Sequence, residues 1–229
     1  MPRYALIFLG VLLFCGSAAA QPVPWNVDAA HSRVGFTATH LGFSKVRGAF
    51  KTFSAKLVAD AKTGKITELE AEADAKSIDT GVEKRDAHLR SDDFFAADQY
   101  PKLKLVVKNV QWHGKNFTAT GTLTIRDVTK NVKFQGSMQG PQTINLGQGP
   151  HLRAAYQAST KINRKDFNLK FAAVAEGVAL VGDDVSIEFE TEITAPLATP
   201  TPAKPAAGTM APPGAPAPAK PSAGTPAPH

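Results

Sequence analysis

Hydrophobic and polar residues alternate with a period of two along most of residues 25–194. This alternation is typical of strands that bury one face and leave the other in water. In the segment 66–78, for example, Leu69, Ala71 and Ala73 lie on one face, while acidic residues and a lysine occupy the other. The pattern therefore predicts a fold built from half-buried strands.

About eight segments carry this alternation. They are residues 33–40, 48–60, 66–78, 102–112, 117–126, 131–139, 152–162 and 184–194. The short polar segments 62–65, 113–116 and 126–130 are suited to antiparallel hairpins. Eight antiparallel strands, each with one solvent-exposed face, are best accommodated by closure into an up-and-down β-barrel. The predicted class is all-β, with a two-sheet sandwich as the competing architecture.

One segment departs from the strand pattern. Thr80 followed by Glu83 matches a capping box and predicts a helix that continues to about Asp93. Asp86 and Arg90 would form an i,i+4 ion pair on it. A second face would carry Arg85, His88, Leu89 and Asp92.

Residues 1–20 are typical of a secretory signal peptide, with Arg3 before an apolar run and three alanines before the predicted cleavage site after Ala20. The apolar run is too short to favour a membrane anchor. Lipidation of Cys15 is a minor alternative, because Phe14 precedes it where lipoprotein signals carry a small residue. Cleavage after Ala20 would leave a mature chain with no cysteine and no transmembrane segment.

Residues 195–229 have a different composition, with 11 proline and 11 alanine residues among 35. Such a segment cannot bury enough apolar surface to offset its ordering entropy, so a disordered tail is predicted. An inert solubilising role is favoured over a spacer or an arm that contacts the cell wall. The predicted organisation is a signal peptide at 1–20, a barrel domain at 21–194 and a tail at 195–229.

The formal charge of the whole chain is +6, but residues 21–194 carry 23 basic and 20 acidic groups. A domain that is this weakly basic lacks the charge that binding to a phosphate backbone requires. A nucleic-acid partner is therefore not expected.

Candidate catalytic chemistry is sparse. The segment 42–46 lacks the second glycine of a nucleophile elbow, and the histidines are scattered without metal-ligand spacing. Asp92 and Asp93 are neighbours and would point about 100° apart on a helix. No catalytic residue and no metal site are predicted. An unrecognised hydrolase that uses His88 is kept as a minor hypothesis.

The stronger signal is apolar. Eleven of the 13 phenylalanines lie outside the leader. Small residues on one strand face (Ala71, Ala73 and Ala75) beside inward phenylalanines would leave lateral room inside a barrel. The inward face would then line a ligand cavity as well as form the core.

A series of motifs spans nearly all of residues 25–194. They are Trp25-x-x-Asp28-x-x-His31-Ser32-x-Val34-x-Phe36-x-x-x-His40, Val46-x-Gly48-x-Phe50-x-x-Phe53, Ser77-Ile78-Asp79-Thr80-Gly81, Arg85-Asp86-x-His88-Leu89-x-Ser91-x-Asp93-Phe94-Phe95, Tyr100-Pro101, Gly121-x-Leu123-Thr124-Ile125-x-Asp127-Val128-Thr129-Lys130, Arg164-x-Asp166-Phe167 and Val181-Gly182-Asp183-x-Val185. In order and spacing this series resembles the YceI-like family of exported lipid-binding proteins.

The resemblance implies a lipocalin-like barrel of eight strands with a helix at one side, exported to the periplasm. It implies a pore that holds a polyisoprenoid or a comparable long-chain amphiphile, such as an isoprenoid quinone, a prenyl pyrophosphate or a fatty amide. It implies no catalytic reaction and no cofactor besides the bound lipid. Pairing of two barrels and contact of the tail with the cell wall stay open.

We assign the pore wall to inward apolar residues of the predicted strands and of one later loop. They are Phe36, Phe50, Phe53, Leu105, Phe117, Leu123, Ile125, Phe134, Phe171 and Phe189. Candidate head-group contacts are His40, Arg85, Asp86, His88 and Asp166. The charged helix residues have an equally good structural interpretation, which is docking of the helix on the barrel. The alternative function is an interaction or stress-response barrel with a filled interior.

Overall fold

The computed structural model describes residues 22–147, 149–175 and 177–197. The predicted signal peptide with Cys15, and residues 198–229 of the predicted tail, lie outside the described residues. In the part of the chain that is described, strands dominate. The described residues contain no helical segment with the length and hydropathy of a transmembrane span.

The strands are β1 (Pro22–His40), β2 (Ser44–Phe50), β3 (Phe53–Asp60), β4 (Ile66–Asp74), β5 (Ile78–Asp79), β6 (Lys102–His113), β7 (Asn116–Ile125), β8 (Val128–Asn145), β9 (Pro150–Asn163), β10 (Val174–Ala175), β11 (Val178–Ala179) and β12 (Val181–Pro196). The helix is α1 (Glu83–Arg90), and 3-10 turns occupy Ala75–Ser77 and Arg164–Phe167.

A closed antiparallel barrel of eight strands forms the body of the fold. The pairing follows the chain through β3, β4, β6, β7, β8, β9 and β12, and β1 closes the barrel between β12 and β3. Register pairs at the closure include Phe36 with Ile187 and Trp25 with Leu57. The predicted barrel is confirmed, and the sandwich alternative is wrong.

Two of the predicted strands are interrupted. The segment predicted as one strand at 48–60 is β2 and β3, which pair with different halves of β1. The segment 66–78 turns after β4, because the Asp74 carboxylate accepts the Lys76 N–H at 2.9 Å and its carbonyl accepts the Ser77 hydroxyl at 2.7 Å. The short strand β5 then returns to pair with β2.

The first strand begins earlier than predicted and contains a bulge. Asp28 pairs with Glu192 and Arg33 with Glu190, so residues 29–32 have no register partners. The Ser32 hydroxyl accepts the Glu192 N–H at 3.0 Å, and the Asp28 carboxylate accepts the Ala30 N–H at 3.2 Å. These polar residues therefore shape the backbone of β1.

The predicted capping of α1 is wrong. Val82 is the N-cap residue and makes no side-chain cap bond, and the helix ends at Arg90 rather than near Asp93. The predicted Asp86–Arg90 pair is also wrong, because Arg90 contacts Glu83 at 2.6 Å. Asp86 instead accepts the Thr80 hydroxyl at 2.5 Å, which draws Thr80 away from the capping position.

At the other end of the chain, β12 continues to Pro196, and Ala195 is buried. These two residues, assigned to the tail by composition, belong to the sheet. The barrel has two ends. The helix end carries α1, the turns 41–43 and 126–127 and the connection from β9 to β12, and the far end carries the turns 61–65 and 114–115 and the connection from β8 to β9.

Candidate functional site

The barrel encloses a cavity of about 230 Å³ whose walls are almost entirely apolar. On β6 alone, both Leu103 and Trp112 line it, which at about 3.3 Å per residue corresponds to about 30 Å of strand. Side chains leave this space unfilled, and its length suits a chain-like ligand.

Aromatic rings from three segments form the wall near the helix end. The ring centroids of Phe36 and Phe50 lie 5.9 Å apart, and Phe95 meets Phe50 edge-on at 5.7 Å. Gly48 on β2 provides the space for one of them, because a Cβ there would lie 2.3 Å from the Phe36 ring. A glycine at this position lets Phe36 lie across the neighbouring strand.

A second aromatic group lines the cavity near the far end. Trp112 and Phe117 have ring centroids 4.9 Å apart, and Tyr156 lies 6.3 Å from each of them. The Trp112 indole donates to the Ile66 carbonyl at 3.1 Å, and the Tyr156 hydroxyl donates to the Gly64 carbonyl. Burial raises the pKa of Tyr156, so its hydroxyl stays protonated as a donor.

One buried charged residue, Arg164, lines the cavity and is only 3% exposed. Its guanidinium donates to the carbonyls of Gly182 at 3.0 Å, Val181 at 3.3 Å and Leu169. It also donates to the Asp183 carboxylate at 3.0 Å. The pKa of Asp183 is lowered, chiefly by its hydrogen bond with Lys165 and also by Arg164. Arg164 thus ties the start of β12 to the loop after β9.

Nine of the ten predicted wall residues line the cavity; the exception is Phe171. Phe171 packs outside it, 4.9 Å from the His88 ring and 5.0 Å from Phe94. Sequence reasoning missed Leu89, Phe94 and Phe95, which also line the cavity. These three belong to α1 and the loop after it, where no strand period marks an inward face. Contact of the wall residues with a ligand stays a prediction.

None of the five predicted head-group residues lines the cavity. Asp86 is buried and accepts the Thr80 N–H at 2.9 Å, and Arg85 Nε donates to the Thr80 hydroxyl at 2.7 Å. These bonds fasten α1 to the segment that directly precedes it, and docking of the helix on the barrel through these side chains stays a prediction. His40 lies at the end of β1, and Asp166 is exposed in the turn after β9. Their contact with a ligand head group stays untested.

His88 pairs with Asp93 at 2.8 Å on the outer side of the helix end. The Ser91 hydroxyl donates to the backbone carbonyl of His88, also at 2.8 Å, rather than to its ring. This arrangement brings no nucleophile to the imidazole, so it gives the hydrolase hypothesis no support.

The only group of three potential metal ligands in the described residues is Asp28, His31 and Glu192. Arg153 donates to both carboxylates, at 3.3 Å to Asp28. The hydrogen bond from His31, and secondarily the one from Arg153, lowers the pKa of Asp28. The guanidinium occupies the position between the carboxylates, so the group is an ion-pair cluster across the closure of the barrel.

The fold and the cavity together define a closed antiparallel barrel with an internal apolar binding site. A model of the YceI-like domain matches residues 25–193. The chain belongs to the YceI-like family, as the motifs indicated.

Individual relatives agree with this assignment. Protein YceI of Escherichia coli is 33% identical over 167 residues, which cover 72% of this chain and 85% of that protein. The crystal structure of a Campylobacter jejuni YceI protein superimposes with a TM-score of 0.59 at 29% identity and covers 73% of this chain and 95% of that one. A polyisoprenoid binding domain from Saccharophagus degradans has the same fold, with a TM-score of 0.55 at 17% identity over 75% of this chain and 98% of that one. These relatives support the family assignment and the barrel fold.

Proposed function

We propose that this protein is a periplasmic carrier that holds a polyisoprenoid, or a similar long-chain amphiphile, in the barrel cavity. The observation that carries the proposal is the long, apolar and unfilled cavity. Membership of the YceI-like family and the likeness to a polyisoprenoid binding domain support the class of ligand. The periplasmic location rests on the predicted signal peptide at 1–20.

The energetics suit such a cargo. Each isoprene unit has five carbons, and burying it yields roughly 3–4 kcal/mol before the cost of ordering the chain. A carrier needs a closed cavity because an open groove would leave half of the chain in water. The wall residues of this barrel contribute rings and branched aliphatic side chains and almost no polar atoms.

The direct test is mass spectrometry of an organic extract of the protein, purified without detergent from the periplasm in which it is made. We expect a stoichiometric isoprenoid lipid, quinone or related amphiphile. A folded, monodisperse sample that yields no lipid would contradict the proposal and favour an interaction protein.

Variants on the inward and outward faces of the barrel make the test specific. Leu123→Asp places a charge in the cavity wall, and we expect it to abolish lipid in the extract. Thr120→Asp lies on the same strand but faces water, so it should retain the lipid. Because a buried charge can unfold the protein, Ala71→Phe is the second cavity variant. It fills the space with an apolar ring and should reduce lipid while the fold is kept.

A further inference from the structure

The helix end exposes apolar side chains that no described residue covers. Phe43, in the turn between β1 and β2, is 79% exposed. Val174 on β10 and Val178 on β11 are 62% and 43% exposed. We refer to Phe43, Val174 and Val178 as the Phe43 patch.

The two segments that carry the patch adjoin each other. The Leu41 N–H donates to the Leu180 carbonyl at 3.2 Å, and a Cβ added at Gly42 would lie 3.9 Å from Val178. Leu41 and Gly42 have φ angles of 50° and 77°, which form the tight turn at whose tip Phe43 lies.

The patch also borders the cavity. Ala38 on β1 and Val181 on β12 both line the cavity, five residues before Phe43 and three residues after Val178 in the chain. The exposed residue Leu146 lies at the far end of the barrel and does not line the cavity.

Positive charge accompanies the patch. Lys45 and Arg47 project from β2 directly after Phe43, and neither forms an ion pair among the described residues. Lys45 donates to the Thr39 hydroxyl at 2.6 Å. The carboxylates at the start of β12 are paired, Asp183 with Lys165 at 2.8 Å and Asp184 with Lys161 at 3.5 Å. Exposed apolar side chains beside unpaired cations fit the surface of an anionic bilayer.

We propose that the Phe43 patch docks the helix end of the barrel on the surface of an anionic phospholipid membrane. Phe43 and the two valines enter the boundary between head groups and acyl chains, while Lys45 and Arg47 contact lipid phosphates. This inference goes beyond the carrier function, because membrane binding can be measured whether or not the cavity holds lipid. If the protein is a carrier, docking brings the cavity next to the bilayer.

The test is co-sedimentation of the protein with vesicles of phosphatidylglycerol and phosphatidylcholine in equal amounts, and with vesicles of phosphatidylcholine alone. We expect binding to the mixed vesicles that weakens as salt is raised. Phe43→Ser should reduce the partition coefficient about tenfold. Lys45→Gln should reduce it about fivefold.

Matched variants at the far end provide the controls. Leu146→Ser removes an equally exposed side chain, 70% exposed, and Lys115→Gln removes an exposed lysine. Both should bind like the unaltered protein. Equal losses for Phe43→Ser and Leu146→Ser would overturn the proposal. So would failure of the unaltered protein to bind mixed vesicles, which would indicate that the patch contacts another protein. If the protein fails to bind vesicles but its organic extract still contains lipid, the docking proposal fails and the carrier proposal stands.

Discussion

The two ends of the barrel are closed by different kinds of interaction. At the far end, Trp112, Phe117 and Tyr156 project from regular strands and pack against one another across the interior. At the helix end, loops without a strand period cover the cavity, and arginines hold them by binding backbone carbonyls. Arg126 shows this clearly, because its Nη1 lies 3.1 Å from the carbonyls of both Phe94 and Asn168.

This difference bears on where a ligand would enter and leave. Opening the far end requires separation of packed rings on paired strands. Opening the helix end requires the loss of hydrogen bonds between loops and the displacement of buried loop side chains such as Phe94 and Phe167. Loops that lie outside the ladder of paired strands have fewer backbone hydrogen bonds to break, so they open locally at lower cost. We therefore expect exchange of the cavity contents through the helix end.

The largest expected effect follows from Arg164→Lys. A lysine cannot satisfy three carbonyls and a carboxylate at once, so the variant should lose about 3 kcal/mol of unfolding free energy. Urea unfolding measures this. Lys165→Met removes the exposed partner of the same carboxylate and should cost less than about 1 kcal/mol. Equal losses of unfolding free energy for the two variants would show that the buried bonds of Arg164 stabilise the helix end no more than the exposed ion pair of Lys165.

Arg126→Met should have a smaller effect on global stability, about 2 kcal/mol, and a clear local effect. Its removal frees the carbonyls of Asp92, Phe94 and Asn168. Amide hydrogen exchange should become faster in the loops at 91–97 and 168–171 and stay unchanged in the turn 61–65. Uniform acceleration at both ends would contradict local opening of the helix end.

Tyr156→Phe tests the far end with a smaller change. It removes the hydroxyl that donates to Gly64 but keeps the ring, so it should cost about 1 kcal/mol in urea unfolding. Because packing holds this end together, hydrogen exchange at the helix end should stay as it is in the unaltered protein. Faster exchange of loop 91–97 in this variant would show that the two ends open together.

The smallest expected effect is a loss of stability at acidic pH. The pKa of Asp183 in the folded protein lies below its ordinary value of 3.8, so the folded state favours the carboxylate. Its contribution to stability is complete above that value and decreases as the pH falls through the lowered pKa. The thermal midpoint of the unaltered protein should therefore fall more steeply in this range than that of Asp183→Asn. Parallel curves would show that Asp183 does not contribute.

The strands were predictable because their inward and outward faces differ in polarity, as in β7 and β12. The interruption after β4 was not, since it depends on side-chain bonds of Asp74 and Ser77. The start of β1 was missed because the bulge at 29–32 breaks the alternation.

The residues of the cavity wall likewise divide into those that strand alternation predicts and those that it does not. Phe36, Phe50 and Leu123 were predicted from strand period alone, whereas Phe94 and Phe95 reach the cavity from a loop. The role of Asp86 depends on Thr80, six residues earlier in the chain. The N–H and the hydroxyl of Thr80 both donate to the Asp86 carboxylate, and this requires that β5 and α1 are folded. Local side-chain contacts of this kind leave no periodic signal in the sequence.

The pairing of β1 with β12 also governs how the chain can fold. Residues 26–40 find their partners among residues 181–194, near the other end of the domain, so the barrel closes only when the last strand is available. Contacts of such long sequence separation make folding slow. Until β12 is in place, β1 and β9 present open edges that can pair with other chains. Assembly of this barrel therefore depends on its last strand, and a chain without β12 in place would expose the edges of β1 and β9 to other chains.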